Sequence, residues 1–262
     1  MRVVTWNLWW RFGPWRERRK AIHSVLRELR PDVVGLQEVW ATGDGGDDGE
    51  NLAEWLAEGL GLHWAWAPSP APERWRRRIG GEPVDIGNAV LSRWPVREQA
   101  TLLLPAPAEL ADGRMALYAR LAAPSYDVPF FTTHLTSADD ASAVRCEQVS
   151  ALAEFVAAHR GDTVFPAVVT GDFNAEPDSP EVRLLGDHAL YDAWTHAAPS
   201  APSATWNPAG PNPYARIDYL HVGPPGPGGI GRVRAVRRAG AAPVAGVWPS
   251  DHTAVVADLS AG

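Results

Sequence analysis

The sequence predicts an α/β sandwich, with β-sheets packed face to face and helices outside them. Three observations carry the prediction. Apolar runs of strand length alternate with amphipathic helical stripes along all 262 residues. A strand-rich middle, residues 87–135, argues against a simple doubly wound sheet. No repeat with a period of about 20–50 residues and no linker-like stretch interrupts the pattern, so residues 1–262 are expected to form one domain.

"RVVTWNL" reads as the first strand. "WRERRKAIHSVLRELR" carries Ile22, Val25, Leu26 and Leu29 on one helical stripe, and Pro31 ends it. "DVVGLQEV" fits a buried strand, and "ENLAEWLAEGLG" a second amphipathic helix stopped by Gly61. The Asp/Gly-rich stretch 42–50 reads as a short mobile loop, and "ERWRRRIGG" (73–81) as a basic solvated loop, with a substrate-phosphate clamp as the sharper alternative. "GNAVLSR", "ATLLLP", "MALYARLA" and "DVPFFTTHL" follow as strands punctuated by Pro and Gly. A helix over 141–159 leads to the strand "PAVVTGDFN". A short helix with Ser179 as cap and Pro180 at its first position comes next. After a Pro-rich irregular stretch, "RIDYLHV", "GRVRAVRR" and "TAVVADL" close the chain as strands, for a total of four helices.

Composition narrows the function classes. With 45% hydrophobic and 21% charged residues the chain is globular. One cysteine, Cys146, precludes an internal disulfide and sits in a helical pattern as an ordinary filler. The start lacks the long apolar core of a signal peptide, and no run reaches the ~18 apolar residues of a membrane span, so a cytoplasmic protein is expected. The net charge of −7 would repel long duplex nucleic acid. Of thirteen tryptophans most are expected in the core; Trp9, Trp10, Trp75 and Trp206 fall in expected loops, where they could stack on a ligand. Nothing in the sequence marks an oligomeric state.

The chemistry-bearing residues interrupt or end apolar strands. Asn7, Glu38, His134, Asp172, Asn174, Asp218, Asp251 and His252 are costly there unless partnered. Drawn from six strands, they point to one shared polar centre at a sheet edge. Carboxylate and amide oxygens without cysteine suit a hard cation, Mg²⁺ or Mn²⁺, which leaves coordination places for phosphate oxygens.

In order, "TWNLW", "LQEV", "GNAVLSRWP", "TTHL", "GDFNAEP", "RIDYLHV" and "SDHTAVVADL" resemble the endonuclease/exonuclease/phosphatase superfamily, over residues 3–259. That is the family of pancreatic-type deoxyribonucleases, apurinic endonucleases, sphingomyelinases and inositol phosphatases. The resemblance implies a four-layer α/β sandwich with two central mixed β-sheets flanked by helices. It also implies metal-dependent hydrolysis of a phosphoester. By resemblance, Glu38 is the principal metal ligand with Asn7 beside it, and Asp251 a further ligand. Asp172 orients the attacking water, and Asn174 holds that water or the phosphate. His252 contacts the phosphate with Asp218 fixing its tautomer, and His134 is a second phosphate contact or leaving-group acid. Asn88 and Arg114 match positions that face the phosphate.

Plainer readings stand beside these. His134 could be a structural strand-end histidine without an acidic partner, Asn7 a loop cap, and Asp218 an ion-pair partner of Arg216. The expected substrate is a phosphoester, with nucleic acid one branch and a sphingomyelinase-like or small-molecule phosphatase the other. A non-catalytic Trp-lined binding module has no chemical need for the full Asp/Asn/His set.

Overall fold

The computed structural model describes residues 1–43, 49–110, 113–197, 200–210 and 215–262. In chain order its elements are β1 (Arg2–Asn7), α1 (Trp15–Leu29), β2 (Val33–Thr42), β3 (Glu50–Asn51), α2 (Leu52–Leu60), β4 (His63–Pro68) and α3 (Glu73–Arg76). There follow β5 (Val84–Ser92), β6 (Val96–Leu103), β7 (Met115–Ala123), β8 (Tyr126–His134), α4 (Ser142–His159), β9 (Val168–Asp172) and α5 (Pro180–Asp187). The chain closes with β10 (Tyr191–Asp192), α6 (Ala193–Ala197), β11 (Asp218–Val222), β12 (Val233–Ala239) and β13 (Ala254–Leu259).

Two mixed sheets form the centre. One runs β12-β13-β1-β2-β5-β4, with β3 against β2; the other runs β10-β11-β9-β8-β7-β6. Three apolar cores separate four layers. Val3, Val33, Val90, Leu117, Phe130, Val168 and Val255 fill the space between the sheets. Ile22, Leu26, Leu52 and Leu56 of α1 and α2 cover the outer face of the first sheet through Val4, Val34 and Leu36. Val149, Leu152, Val182 and Leu185 of α4 and α5 cover the second through Phe131, Val169 and Tyr219. Each fully buried Leu or Ile contributes roughly 1.5–3 kcal/mol, so the helical stripes are what fix the outer layers. Towards one edge the inter-sheet layer becomes polar: Gln37 Nε2 donates to Thr132 Oγ1 at 2.8 Å and to Thr5 Oγ1 at 3.2 Å. Gly35 permits this approach, since a Cβ there would run into Thr170 Oγ1.

Strand polarity gathers the polar residues at that edge. β1 and β2 are parallel, with Asn7 opposite Gln37, so Asn7 and Glu38 share one end. β8 and β9 are parallel, with His134 opposite Asp172. β11 runs antiparallel to β9 and opens with Asp218 opposite that same Asp172. β13 runs antiparallel to β1, which brings the preceding Asp251 and His252 to the same edge.

Several local expectations need correction. "ERWRRR" is a short helix rather than a loop: Trp75 is buried and Arg76 pairs with Asp85 at 2.5 Å. Trp10 is buried too, packed edge to face on Trp75 with centroids 5.9 Å apart. Ser179 holds the cap position of α5, but its hydroxyl makes no capping bond. The described residues hold six α-helices against the four helices the sequence predicts; α3 and α6 are too short to leave a periodic signature. β4 and β10 were likewise unexpected. Most of the expected mobile loop, residues 44–48, and parts of the Pro-rich stretch, 198–199 and 211–214, lie outside the described residues. Where that stretch is described it is not wholly irregular, since Trp206 forms a β-bridge with His252. No described helix is long and apolar enough to cross a membrane.

Candidate active site

Asp172 is the hub. Its Oδ2 accepts from Asn7 Nδ2 at 2.9 Å and lies 3.4 Å from His134 Nε2 and 3.8 Å from His252 Nε2. Its Oδ1 accepts the backbone N–H of Asn174 at 2.9 Å, an Asx turn made possible by the left-handed φ of 48° at Asn174. Burial, with Asp218 nearby, holds the Asp172 carboxyl above the ordinary range. The acidic partner of His134 that the sequence does not reveal is therefore Asp172.

His252 Nδ1 lies 2.8 Å from Asp218 Oδ2, while Arg216 pairs with Asp192 at 2.8 Å. Asp218 thus serves the histidine and not the neighbouring arginine. Burial disfavours the imidazolium of His252, but Asp218, Asp172 and Asp251 outweigh it and push its pKa up to about 10. His134 is the opposite case: burial, aided by Arg114 and His252, holds it well below the usual imidazole value. Two histidines at one edge are thus kept in opposite protonation states.

Glu38 stands where the pairing of β2 with β5 shifts register between Leu36 and Val39. This bulge gives Glu38 a left-handed φ of 52°, a strain that turns its side chain out of the strand's alternation. Its Oε2 is buried with no hydrogen-bond partner among the described residues. Burial raises its pKa, opposed by Arg114 and His252. Asp251 is raised to about 6, by burial first, with Glu38 adding to the rise and His252 and Arg18 opposing it.

Two donor sets could hold a cation. Asp172, Asp218 and His252 offer atoms all within 4.8 Å of one another. Yet in this set His252 Nδ1 and Asp218 Oδ2 are already committed to each other at 2.8 Å. Glu38 and Asp251 are carboxylates, one with an orphaned buried oxygen, which is the donor chemistry a hard cation takes. The second set fits better.

Asn7 stands beside Glu38, whose carboxylate it hydrogen-bonds, and also reaches Asp172. Its Nδ2 goes to Asp172 and its Oδ1 accepts the Trp9 N–H at 2.9 Å, so the amide bridges Asp172 to the loop after β1. Asn174 donates one amide hydrogen to the Leu135 carbonyl at 3.0 Å, leaving one. Asn88 donates to the Met115 carbonyl at 2.8 Å, and Arg114 donates to Ser137 Oγ at 3.1 Å and lies over the Trp75 ring. Both line a narrow cleft with Glu38 and His134.

Arg18 is a residue the sequence reading passed over. It is buried, and donates to the carbonyls of Leu8, Trp9, Trp10, Phe12 and Pro249 at 2.7–3.0 Å, tying the loop after β1 to the segment before Asp251. The signal was present: Arg18 precedes Ile22 by four and Val25 by seven, an arginine on the apolar stripe of α1.

Residues 4–252 match the sequence profile of the Endonuclease/Exonuclease/phosphatase family. The chain belongs to this family. Its hydrolases act on phosphoester bonds, commonly with divalent metals. Among solved structures, the catalytic domain of human Nocturnin with a bound sulfate anion is similar with a TM-score of 0.77 and 23% identity, over 99% of this chain and 94% of that one. An endonuclease/exonuclease/phosphatase from Beutenbergia cavernae is 25% identical with a TM-score of 0.75, over 100% of this chain and 72% of that one. A mannosyl-6-phosphatase from Bacteroides thetaiotaomicron is 18% identical with a TM-score of 0.71, over 99% of both chains. No curated protein matches the chain in sequence.

Proposed function

We propose that this chain, acting as one domain over residues 1–262, is a divalent-metal-dependent phosphoester hydrolase that works by in-line attack of an activated water. One observation carries the reading: Glu38's orphaned carboxylate oxygen, on the first sheet, lies at the same edge of the sandwich as the buried Asp172–Asp218–His252 cluster. Glu38 and Asp251 would hold Mg²⁺ or Mn²⁺, which when bound supplies positive charge against a non-bridging phosphate oxygen. Asp172, its carboxyl poised by burial, takes the proton of the attacking water. Asn7 and the backbone of Asn174 hold that carboxyl in place, and the second amide hydrogen of Asn174 would donate to the phosphate or hold the water. His252, kept protonated by Asp218, donates from Nε2 to a phosphate oxygen. His134, kept neutral, suits a phosphate contact better than a leaving-group acid. Asn88 and Arg114 flank the phosphate from the cleft beside Glu38. A donor aimed at developing charge is worth roughly 10²–10³-fold in rate.

The test is a panel of plasmid, single strand, abasic duplex, RNA, sphingomyelin, inositol phosphates and a bis-aryl phosphate, with and without Mg²⁺ or Mn²⁺. Hydrolysis that stops with EDTA and falls at least ~100-fold in Asp172→Ala is expected. Activity surviving both would sink the reading. The net charge of −7 favours a short phosphoester over long duplex DNA.

A further inference from the structure

The candidate site is divided between the two sheets. Asn7 and Glu38 lie on the first, with Asp251 just before β13; His134, Asp172 and Asp218 lie on the second. The proposed reaction needs these halves at a fixed separation, since a misplacement of about 1 Å can cost ~10²-fold in rate.

Below the reacting residues the facing strands repeat in three tiers, because side chains two apart share a face. Val3 pairs with Val33 and Phe130 with Val168, and these four form an apolar floor between the sheets. Two residues on, Thr5 pairs with Gly35 and Thr132 with Thr170, and the three threonines are fully buried. Two further on, Asn7 pairs with Gln37 and His134 with Asp172. At the middle tier the sheets approach too closely for a methyl group on Gly35. Its Cβ would lie 2.2 Å from Thr170 Oγ1 and 3.0 Å from Thr132 Oγ1.

Gln37 belongs to the top tier, yet it does not line the cleft beside Glu38. Its Nε2 reaches into the middle tier instead. There it donates across the gap to Thr132 Oγ1 at 2.8 Å and, on its own sheet, to Thr5 Oγ1 at 3.2 Å. Gln37 is fully buried, and its Oε1 has no hydrogen-bond partner among the described residues. A buried amide left partly unsatisfied is a poor choice for stability, and an apolar residue of the same shape would cost less. Its neighbour shows what it does instead. The pairing of β2 with β5 runs from Leu36 against Ala89 to Val39 against Gly87, so Gln37 and Glu38 together oppose Asn88. Pinning Gln37 inward fixes the strand immediately before the bulge that aims Glu38.

Other side-chain bonds also cross the gap, Asn7 to Asp172 at 2.9 Å and His252 to Asp218 at 2.8 Å. Those groups are engaged by the reaction itself, so their geometry changes as protons and phosphate move. Gln37 and Thr132 stay out of the chemistry, and their bond can hold the gap throughout. Resting on the phosphoesterase reading above, we propose that Gln37 is a positioning residue: its amide, bonded to Thr132 across the narrow tier at Gly35, sets the separation between the metal-binding half of the site and the Asp172 half. Gly35 lets the sheets approach, and Gln37 keeps them there.

Two shape-preserving substitutions, Gln37→Met and Thr132→Val, alone and together, separate this role from ordinary packing. Each single variant leaves a buried polar partner unpaired and should melt lower than wild type. The double variant removes both partners and should melt close to wild type. Turnover of bis(p-nitrophenyl) phosphate should not recover with it. In both singles and in the double, kcat should fall by the same factor, about 10- to 100-fold, because each loses the one bond. Affinity for Mg²⁺ in calorimetry should stay within about twofold, since Glu38 and Asp251 are on the same side of the gap. Thr132→Ser keeps the oxygen and should keep kcat within about twofold. Inorganic phosphate, titrated without metal, should bind several-fold more weakly to the double variant than to wild type.

A double variant that regains both its melting temperature and its kcat would overturn the proposal, as would a loss of kcat matched by an equal loss of Mg²⁺ affinity. Should Gln37→Met not fold, Thr132→Val against Thr132→Ser decides the question, and equal kcat in that pair overturns it. If wild type hydrolyses nothing, the reaction is refuted and phosphate binding still decides the role of Gln37. Equal phosphate binding by wild type and double variant would then overturn that role.

Discussion

Replacing Arg18 by methionine isolates what one buried cation does for the site. Of its five carbonyl contacts, those to Leu8, Trp10 and Pro249 are buried. Leaving three buried acceptors unpaired costs roughly 2 kcal/mol each, about 6 kcal/mol together. Part of this is offset, because burial lowers the Arg18 pKa to about 10 from 12.5, a desolvation cost of about 3 kcal/mol that the variant no longer carries. The net loss is about 3 kcal/mol, or a fall in Tm of roughly 6–12 °C for a chain of this size. Arg18→Lys keeps the charge but has three donors for five carbonyls, so it should fall between. Urea denaturation measures the stability, and calorimetric titration with Mg²⁺ measures the site. Because the lost contacts anchor the segment before Asp251, affinity for Mg²⁺ should drop with stability, more in Arg18→Met than in Arg18→Lys. An Arg18→Met protein within about 0.5 kcal/mol of wild type would refute the reasoning.

Three further outcomes follow from the same geometry. His221 is buried and its pKa is lowered to about 4, by burial first, with Asp192 opposing. The unfolded chain therefore binds the extra proton between about pH 6.5 and 4. Stability should fall by about 3 kcal/mol as pH drops through that window, and His221→Phe should flatten the dependence in denaturation curves. Asp218→Asn removes the charge that holds His252 as an imidazolium, so kcat should fall at least ~100-fold at pH 8 and recover partly towards pH 6, as read from a pH–rate profile. Glu38→Gln removes a buried carboxylate whose pKa is already raised, so it should melt higher than wild type in EDTA yet gain far less than wild type from the same added Mg²⁺ in calorimetric scans.

The layers were legible because periodicity marks them: Ile22, Val25, Leu26 and Leu29 face the first sheet as their spacing requires. The site was legible because His134, Asp172 and Asp218 are costly strand-end residues that strand polarity brings to one edge, and Glu38 is a costly carboxylate within an apolar strand, though at an internal bulge of β2 and not at its end. Other features depend on tertiary contact. Nothing local says that Asn7 reaches Asp172, 165 positions away. The bulge at Glu38 arises only when β2 meets β5. The basic "ERWRRR" looks solvated until Trp75 is seen plugged against Trp10 and Arg114. β10 and α6 are too short to show a period.

The central claim is that a carboxylate-held divalent metal and Asp172 together hydrolyse a phosphoester. Bis(p-nitrophenyl) phosphate turnover, measured against Mg²⁺ concentration for wild type, Glu38→Gln and Asp172→Ala, tests it most directly. Saturable Mg²⁺ activation in the wild type is predicted. Glu38→Gln should need far more metal, and Asp172→Ala should bind metal yet turn over at least ~100-fold more slowly. Turnover that is indifferent to Mg²⁺ and to both substitutions would contradict it.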